Sequence, residues 1–132
     1  MREISRILLG ILLGIALIFC FSCRHEKAEI ICTLPATVSF SQHILPIFQQ
    51  YCSTSGCHAG ATPSANLNLE SAVAYAQLSR KSKGYIDTLT PQYSVLYASM
   101  NAVANPMPKS GRLDNCTVDL VLMWLKQKAK NN

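Results

Sequence analysis

The sequence predicts a small all-α domain. Apolar residues recur at helical spacing in several segments, and no stretch alternates apolar with polar residues convincingly enough to predict a sheet. The chain has 132 residues, a length typical of one domain. We therefore expect a few short helices joined by polar loops.

The first residues have the composition of a cleaved secretory signal. Arg2 and Arg6 form a short basic head, and an unbroken apolar run follows from Ile7 to Phe19. The run is shorter than the ~20 residues needed to span a bilayer, so a retained transmembrane anchor is the second interpretation. We predict a signal peptide over residues 1–22.

The end of this segment resembles a bacterial lipoprotein signal, which is cut just before a cysteine that is then acylated. Cys23 fits because the preceding Ser22 is small, whereas Cys20 follows the bulky Phe19. We predict that Cys23 is lipidated. Acyl chains contribute ~0.8 kcal/mol per buried methylene and would hold the protein on a membrane of the cell envelope, as a periplasmic or outer-membrane lipoprotein.

The mature chain is mildly basic. Removal of residues 1–22 takes away Arg2, Arg6 and Glu3, so the formal charge falls from +5 to +4. We expect no nucleic-acid partner, because the chain has no arginine-rich run and no interleaved aromatic residues. Several lysines could present a positive face to an acidic partner, although most are better interpreted as solvated surface. These are Lys81, Lys83, Lys126, Lys128 and Lys130.

Residues 23–37 are predicted to be a tether, and residues 38–132 the domain. The first helix begins between Gln42 and Leu45, because Pro46 is tolerated only in a first turn, and it runs into Cys52. Its apolar face consists of Ile44, Ile47, Phe48 and Tyr51.

Three further helices are predicted. A short one lies in "ESAVAYAQLSRK", and the next, in "TPQYSVLYASM", has Thr90 as N-cap and Pro91 as its first helical residue. The last helix, in "DNCTVDLVLMWLKQKAKNN", is capped by Asp114 or Asn115. Its apolar stripe consists of Val118, Val121, Leu122 and Leu125.

The cysteine count restricts the chemistry. Of the six cysteines, Cys20 leaves with the signal and Cys23 is acylated. The remaining four are Cys32, Cys52, Cys57 and Cys116. Four cysteines in an oxidising compartment allow three pairings, and the sequence alone does not choose among them.

The stretch "YCSTSGCH" places Cys57 five positions after Cys52, and His58 directly follows Cys57. Zinc usually needs two well-spaced ligand pairs, and consecutive residues rarely reach one ion. A disulfide between the two cysteines would close a short loop and stabilise little, and it would leave the histidine without a role.

Covalent haem would use all three residues. Each thiol would add to one vinyl group, and the adjacent histidine would reach the iron from the same side. The usual signature has two residues between the cysteines, and this chain has four. Gly56 can adopt positive φ, which would let the chain bulge before Cys57.

A haem iron bound by one histidine usually takes a second axial ligand for electron transfer. Met107 is the candidate, because Pro106 and Pro108 restrict the backbone on both sides of it and exclude regular structure. Met100 and Met123 lie on predicted helix faces and are interpreted as core residues.

Four segments together carry a family resemblance: "ILPIFQQYCSTSGCH", "SVLYASM", "NPMPKSGRL" and "LVLMWLKQKAKNN". From Phe40 to Asn132 the chain resembles a class I c-type cytochrome domain of the kind common in lipoproteins of Bacteroidetes-like bacteria, with a variant C-x4-C-H motif. In such domains the N- and C-terminal helices cross, and long loops surround one covalent haem c.

The resemblance implies a role for each matching residue. Cys52 and Cys57 would be the thioether sites, His58 the proximal ligand and Met107 the distal ligand, while Trp124 would lie at the helix crossing. Haem would then pack against five apolar residues and enlarge a thin core. These are Ile44, Phe48, Leu96, Leu113 and Leu122.

The resemblance also implies a disulfide between Cys32 and Cys116, since related lipoprotein domains carry a similar pair. The bond would join the tether to the start of the last helix. Because it closes a long loop, it would contribute ~4 kcal/mol in the chain-entropy model.

We therefore expect a single-electron carrier, and not an enzyme, that works with redox protein partners at the membrane. The alternative is a haem-free surface lipoprotein that acts as a binding module, with Cys52 and Cys57 joined in a disulfide. A peroxidase-like activity would require that Met107 is not an iron ligand.

Overall fold

The computed structural model describes Arg6 and residues 32–132. This part of the chain contains helices and no strands, which confirms the predicted all-α class. The predicted signal peptide, most of the tether and Cys23 lie outside the described residues. No helix in the described part is long and apolar enough to cross a bilayer. Residues 32–132 contain four α-helices: α1 (Leu45–Tyr51), α2 (Ala74–Leu78), α3 (Val95–Asn101) and α4 (Asn115–Lys126).

A π-helical turn, Phe40–Ile44, leads directly into α1. Helical winding thus begins before the predicted start, because the Ser39 hydroxyl accepts a hydrogen bond from the Gln42 N–H at 3.3 Å and caps the turn. Pro46 lies in the first turn of α1, as predicted. The helix ends at Tyr51, and the next residue, Cys52, donates its N–H to the Phe48 carbonyl at 2.8 Å.

The predicted single helix over residues 90–100 is wrong. Pro91–Tyr93 forms a separate 3-10 turn, and α3 begins only after an extended residue, Ser94. The buried Ser94 hydroxyl donates to the Asp87 carbonyl at 3.0 Å and accepts from the Asp87 N–H at 2.8 Å. The hydroxyl of Thr90 donates to the Asp87 carboxylate and does not cap the turn.

The last helix, α4, supplies the largest part of the core. Four of its side chains are buried: Val118, Val121, Trp124 and Leu125. Leu122, predicted for the buried stripe, is only half-buried. The Trp124 ring lies 5.5 Å from the Phe40 ring, and its Nε1–H donates to the Lys130 carbonyl at 2.9 Å. The first turn of the domain therefore packs directly on α4.

The segment before the first turn is held on the domain. A disulfide joins Cys32 to Cys116, the pairing that the resemblance implied, with 5.4 Å between the Cα atoms. The Gln127 side chain accepts from the Val38 N–H at 2.8 Å and donates to the Ala36 carbonyl at 2.9 Å. Residues 32–37 therefore belong to the same compact unit as the helices.

Asp114 is the N-cap of α4, and its replacement tests the capping energy. Its carboxylate accepts from the Thr117 N–H at 2.9 Å and from the Thr117 hydroxyl at 2.6 Å. We expect Asp114→Ala to lower the free energy of unfolding at pH 7 by about 1 kcal/mol, measured by urea denaturation. Asp114→Asn is the matched control, because asparagine also caps well, and an equal loss in both variants would contradict a capping role.

The same carboxylate predicts a pH dependence. The hydrogen bond from the Thr117 hydroxyl, followed by the one from its N–H, lowers the Asp114 pKa below its ordinary value of 3.8. The folded state thus binds this proton less readily than the unfolded state, so the stabilisation is complete above the ordinary pKa and is lost as the pH falls through the lowered value. The stability difference between wild type and Asp114→Ala should therefore narrow in acid.

Candidate functional site

One cavity of about 330 Å³ contains all four residues predicted to bind a cofactor. Three of them, Cys52, Cys57 and His58, lie in the segment that directly follows α1. Met107 comes from the loop that joins α3 to α4. The volume is within the range of ~300–1,000 Å³ that is usual for small-molecule sites. The fold thus brings two distant segments of the chain to one pocket.

The remaining wall of the cavity is largely apolar. Its main apolar residues are Leu67, Leu69, Leu78, Val95, Leu96 and Met100. The first two lie in a segment that the sequence predicted only as a loop, since residues 60–69 show no helical period. Leu67, Asn68 and Leu69 alternate apolar, polar and apolar, but the pattern is too short to predict that the two leucines line a cavity. Tyr85 also lines the cavity and was not predicted.

The loop between the two cysteines is closed by backbone hydrogen bonds. The Cys57 N–H donates to the Thr54 carbonyl at 3.0 Å, and the His58 N–H donates to the Cys52 carbonyl at 3.1 Å. Gly56 has a φ of +79°, which is the positive value predicted for it. The four intervening residues are therefore taken up in a compact bulge, and Cys52, Cys57 and His58 all line the cavity.

The ring of His58 is fixed through one nitrogen. Its Nδ1 lies 3.1 Å from the Ser64 carbonyl oxygen and 3.2 Å from that of Leu67. Because a carbonyl oxygen only accepts, Nδ1 carries a proton and donates it. Nε2 makes no hydrogen bond within the described residues. This is the arrangement typical of a metal-binding histidine, whose second nitrogen is oriented by a backbone carbonyl.

The backbone around His58 is also held in place. The Ser64 N–H donates to the Cys57 carbonyl at 2.7 Å, and the Leu69 N–H donates to the His58 carbonyl at 2.8 Å. These bonds attach the cysteine–histidine segment to residues 64–69, which form part of the cavity wall. The position of the imidazole is therefore determined by the protein alone.

Cys52 and Cys57 are free thiols with different surroundings. Cys52 is half-buried and Cys57 is exposed. Burial, and secondarily the nearby Cys57 thiol group, raise the pKa of Cys52 to about 11. Cys52 is therefore a neutral thiol at physiological pH, and both cysteines line the same cavity.

This difference predicts selective alkylation. In cofactor-free protein at pH 8, with a Cys52 pKa of about 11, only about one Cys52 in a thousand is thiolate. We expect iodoacetamide to modify the exposed Cys57 well before Cys52, as measured by time-resolved peptide mapping. Both should react at similar rates in urea, which removes the effect of burial. Equal alkylation rates of the two cysteines in the folded protein would contradict the burial and the raised pKa of Cys52.

Met107 enters the cavity from the methionine loop, residues 102–113. Its N–H donates to the Ser99 carbonyl of α3 at 2.9 Å, and its side chain is half-buried. No helix forms between Asn101 and Asn115, as the two prolines predicted. The sequence placed Met100 in the core, and it is indeed only 2% exposed, but it also lines the cavity.

The predicted packing around a cofactor requires correction. Of the five apolar residues expected to contact haem, only Leu96 lines the cavity. Ile44 and Phe48 are fully buried in the protein core, where Phe48 lies 6.3 Å from the ring of Phe40. The remaining two, Leu113 and Leu122, are half-buried elsewhere. Ile44 and Phe48 therefore contribute to the protein core and not to the cavity wall.

The zinc interpretation finds no support in the described part of the chain, where no three His, Cys, Asp or Glu side chains converge on one point. A site with two thioether bonds and one imidazole needs no such convergence. No protein-family model, curated protein or solved structure matches the chain. The functional argument therefore depends on the cavity and on its donor groups.

Proposed function

We propose that the protein is a single-electron carrier, similar to class I c-type cytochromes, that binds one covalent haem c in the cavity described above. The observation that carries this proposal is the meeting of Cys52, Cys57, His58 and Met107 in one apolar cavity. Two thiols, one imidazole and one thioether are the set of side chains that covalent haem with His/Met ligation requires.

The donor set fits this group in its protonation and orientation as well as in its composition. The free thiols of Cys52 and Cys57 are available for two thioether bonds. His58 would bind iron through Nε2, because its Nδ1 already donates to backbone carbonyls. Met107 would supply the second axial ligand, and its sulfur has no proton to lose on binding.

The apolar wall supports a role in electron transfer. Haem iron supplies one-electron redox chemistry when bound, and a thioether ligand in a water-poor pocket favours the ferrous state. Leu67, Leu78 and Leu96 line the pocket and would limit the access of water to a haem bound there. We expect a positive reduction potential as a result.

The proposed cytochrome-like arrangement has the first and last helices crossing beside the cavity. The contact between the Phe40 and Trp124 rings, at 5.5 Å, supports such a crossing because it joins the turn before α1 to α4. Tyr75 adds a third ring, 5.2 Å from Phe40. This cluster would hold α1, and therefore Cys52 at its end, against the rest of the domain.

We further propose that a lipid on Cys23 keeps the carrier at the membrane of the cell envelope, where its partners are other redox proteins. The proposed role is electron transfer without catalysis. The alternative, a haem-free binding module, requires a bond between Cys52 and Cys57. The free thiols favour the haem-binding proposal over this alternative.

The deciding experiment is expression of the full chain together with c-type maturation machinery. We expect a pyridine haemochrome spectrum of the thioether type, and haem that stays with the polypeptide on a denaturing gel. A colourless protein without free thiols would overturn the proposal in favour of the binding module.

Two variants then assign the roles. Cys57→Ala should remove one thioether bond and shift the haemochrome spectrum toward that of a single attachment. Met107→Ala should lower the reduction potential and remove the charge-transfer band that marks methionine ligation. Met123→Ala is the matched control, since Met123 does not line the cavity. An unchanged Met107→Ala spectrum would exclude Met107 as the ligand.

A further inference from the structure

The methionine loop, residues 102–113, has little buried surface to hold it in place. Most of its residues are exposed, and Val103 is 91% exposed. Pro108 is its one buried residue. Packing acts mainly at Met107 and Pro108 themselves, so the rest of the loop depends on hydrogen bonds to the domain for its position.

Two hydrogen bonds join this loop to the end of α3. The Met107 N–H donates to the Ser99 carbonyl at 2.9 Å, in the middle of the loop. The Arg112 guanidinium donates to the Asn101 side-chain oxygen at 2.7 Å, near the end of the loop. Ser99 itself lines the cavity, so the loop is attached beside the place where Met107 enters it.

We propose that Asn101 and Arg112 are positioning residues for the Met107 side chain. Asn101 is the last residue of α3, and Arg112 lies near the far end of the loop. Their bond brings the two ends together and reduces the number of conformations that the segment between them can adopt. This proposal rests on the proposed function, in which Met107 is the sixth ligand.

The bond combines a charged donor with a short donor–acceptor distance, and it lies at the exposed surface of the domain. A guanidinium donor carries a full charge, and hydrogen bonds from charged groups are shorter and stronger than neutral ones. The distance of 2.7 Å is at the short end of this range. Neither side chain lines the cavity, so their effect on a ligand there would be exerted through Met107 alone.

The first test uses exogenous imidazole, which displaces a weakly held methionine from ferric haem. In haem-loaded Arg112→Ala we expect imidazole to bind roughly threefold to tenfold more tightly, the factor that corresponds to one net hydrogen bond. The methionine charge-transfer band should weaken in the same variant. Lys126→Ala, on the exposed surface of α4, is the matched control and should bind imidazole as wild type does.

Asn101→Ala separates positioning from loss of folding. Alanine is a better helix former than asparagine, so this change removes the acceptor without weakening α3. We expect the same gain in imidazole affinity as for Arg112→Ala, and no further gain in the double variant, because both remove one bond. Additive gains, or none in either single variant, would overturn the proposal.

A second measurement needs no haem. In cofactor-free protein, Arg112→Ala should raise the hydrogen-exchange rate of the Met107 amide, which donates to Ser99, and leave that of Val121 in α4 unchanged. An unchanged Met107 rate would overturn the positioning role even if the protein binds haem. A colourless protein with an increased Met107 rate would instead refute the proposed function and retain the attachment of the loop.

Discussion

Replacing Trp124 by alanine should lower the free energy of unfolding by about 3–5 kcal/mol, the usual cost of removing a fully buried aromatic side chain. Trp124 is completely buried and lies 5.5 Å from the Phe40 ring and 6.4 Å from the Tyr75 ring. Its Nε1–H also satisfies the Lys130 carbonyl. Urea denaturation followed by far-UV circular dichroism would measure the loss.

Trp124→Phe is the matched control, because it keeps a ring in the core and removes only the N–H donor and part of the volume. We expect a clearly smaller loss than for Trp124→Ala. Equal losses would contradict an explanation based on buried aromatic surface and would assign the stability to the bond with Lys130. That bond fixes the turn after α4, where Lys128 and Ala129 have φ values of +72° and +46°.

Removal of the disulfide should have the second large effect. Cys32 and Cys116 are 84 residues apart, and the chain-entropy model gives ~4 kcal/mol for a loop of that order. We expect the double variant Cys32→Ser/Cys116→Ser to lose about that much unfolding free energy. The double change avoids leaving one unpaired thiol that could form other bonds.

The control for the disulfide is wild-type protein treated with reductant, which should reach the stability of the double variant. A much smaller loss in both samples would show that the unfolded chain gains little freedom when the bond is absent. The Gln127 side chain, which holds Ala36 and Val38, would then be the main attachment of this segment.

Much of the helical order could be predicted from local residue chemistry. Pro46 restricts the start of α1, Asp114 caps α4, and the prolines around Met107 exclude a helix there. The positive φ of Gly56 was equally predictable, because the bulge before Cys57 needs it. Each of these features depends on neighbours within a few positions in the sequence.

The features that could not be predicted depend on long-range packing. The helix is interrupted at Ser94, whose hydroxyl forms two hydrogen bonds with the backbone of Asp87. The sequence showed only Pro91 at a helix start and therefore suggested one continuous helix. The predicted contacts of Ile44 and Phe48 with haem find no support, because both side chains are fully buried in the core and neither lines the cavity. Helical periodicity identifies a buried face without identifying what covers it.

The candidate site was predictable only where its residues are close in the sequence or carry an unusual local pattern. The sequence motif placed Cys52, Cys57 and His58 together, and the two prolines marked Met107 as unusual. The Nδ1 bonds of His58 to Ser64 and Leu67 could not be foreseen, because residues 60–69 have no regular pattern. Only the folded chain brings that loop beside the imidazole.

The attachment of residues 32–38 to the domain has a consequence for the proposed electron carrier. If Cys23 carries the lipid, the chain is first attached to the domain at Cys32, nine residues later, rather than at the first helical turn. A segment of nine residues reaches at most about 30 Å when fully extended. The domain would then stay within a shallow layer above the bilayer. Any protein that exchanges electrons with it would have to expose its own redox centre within that layer.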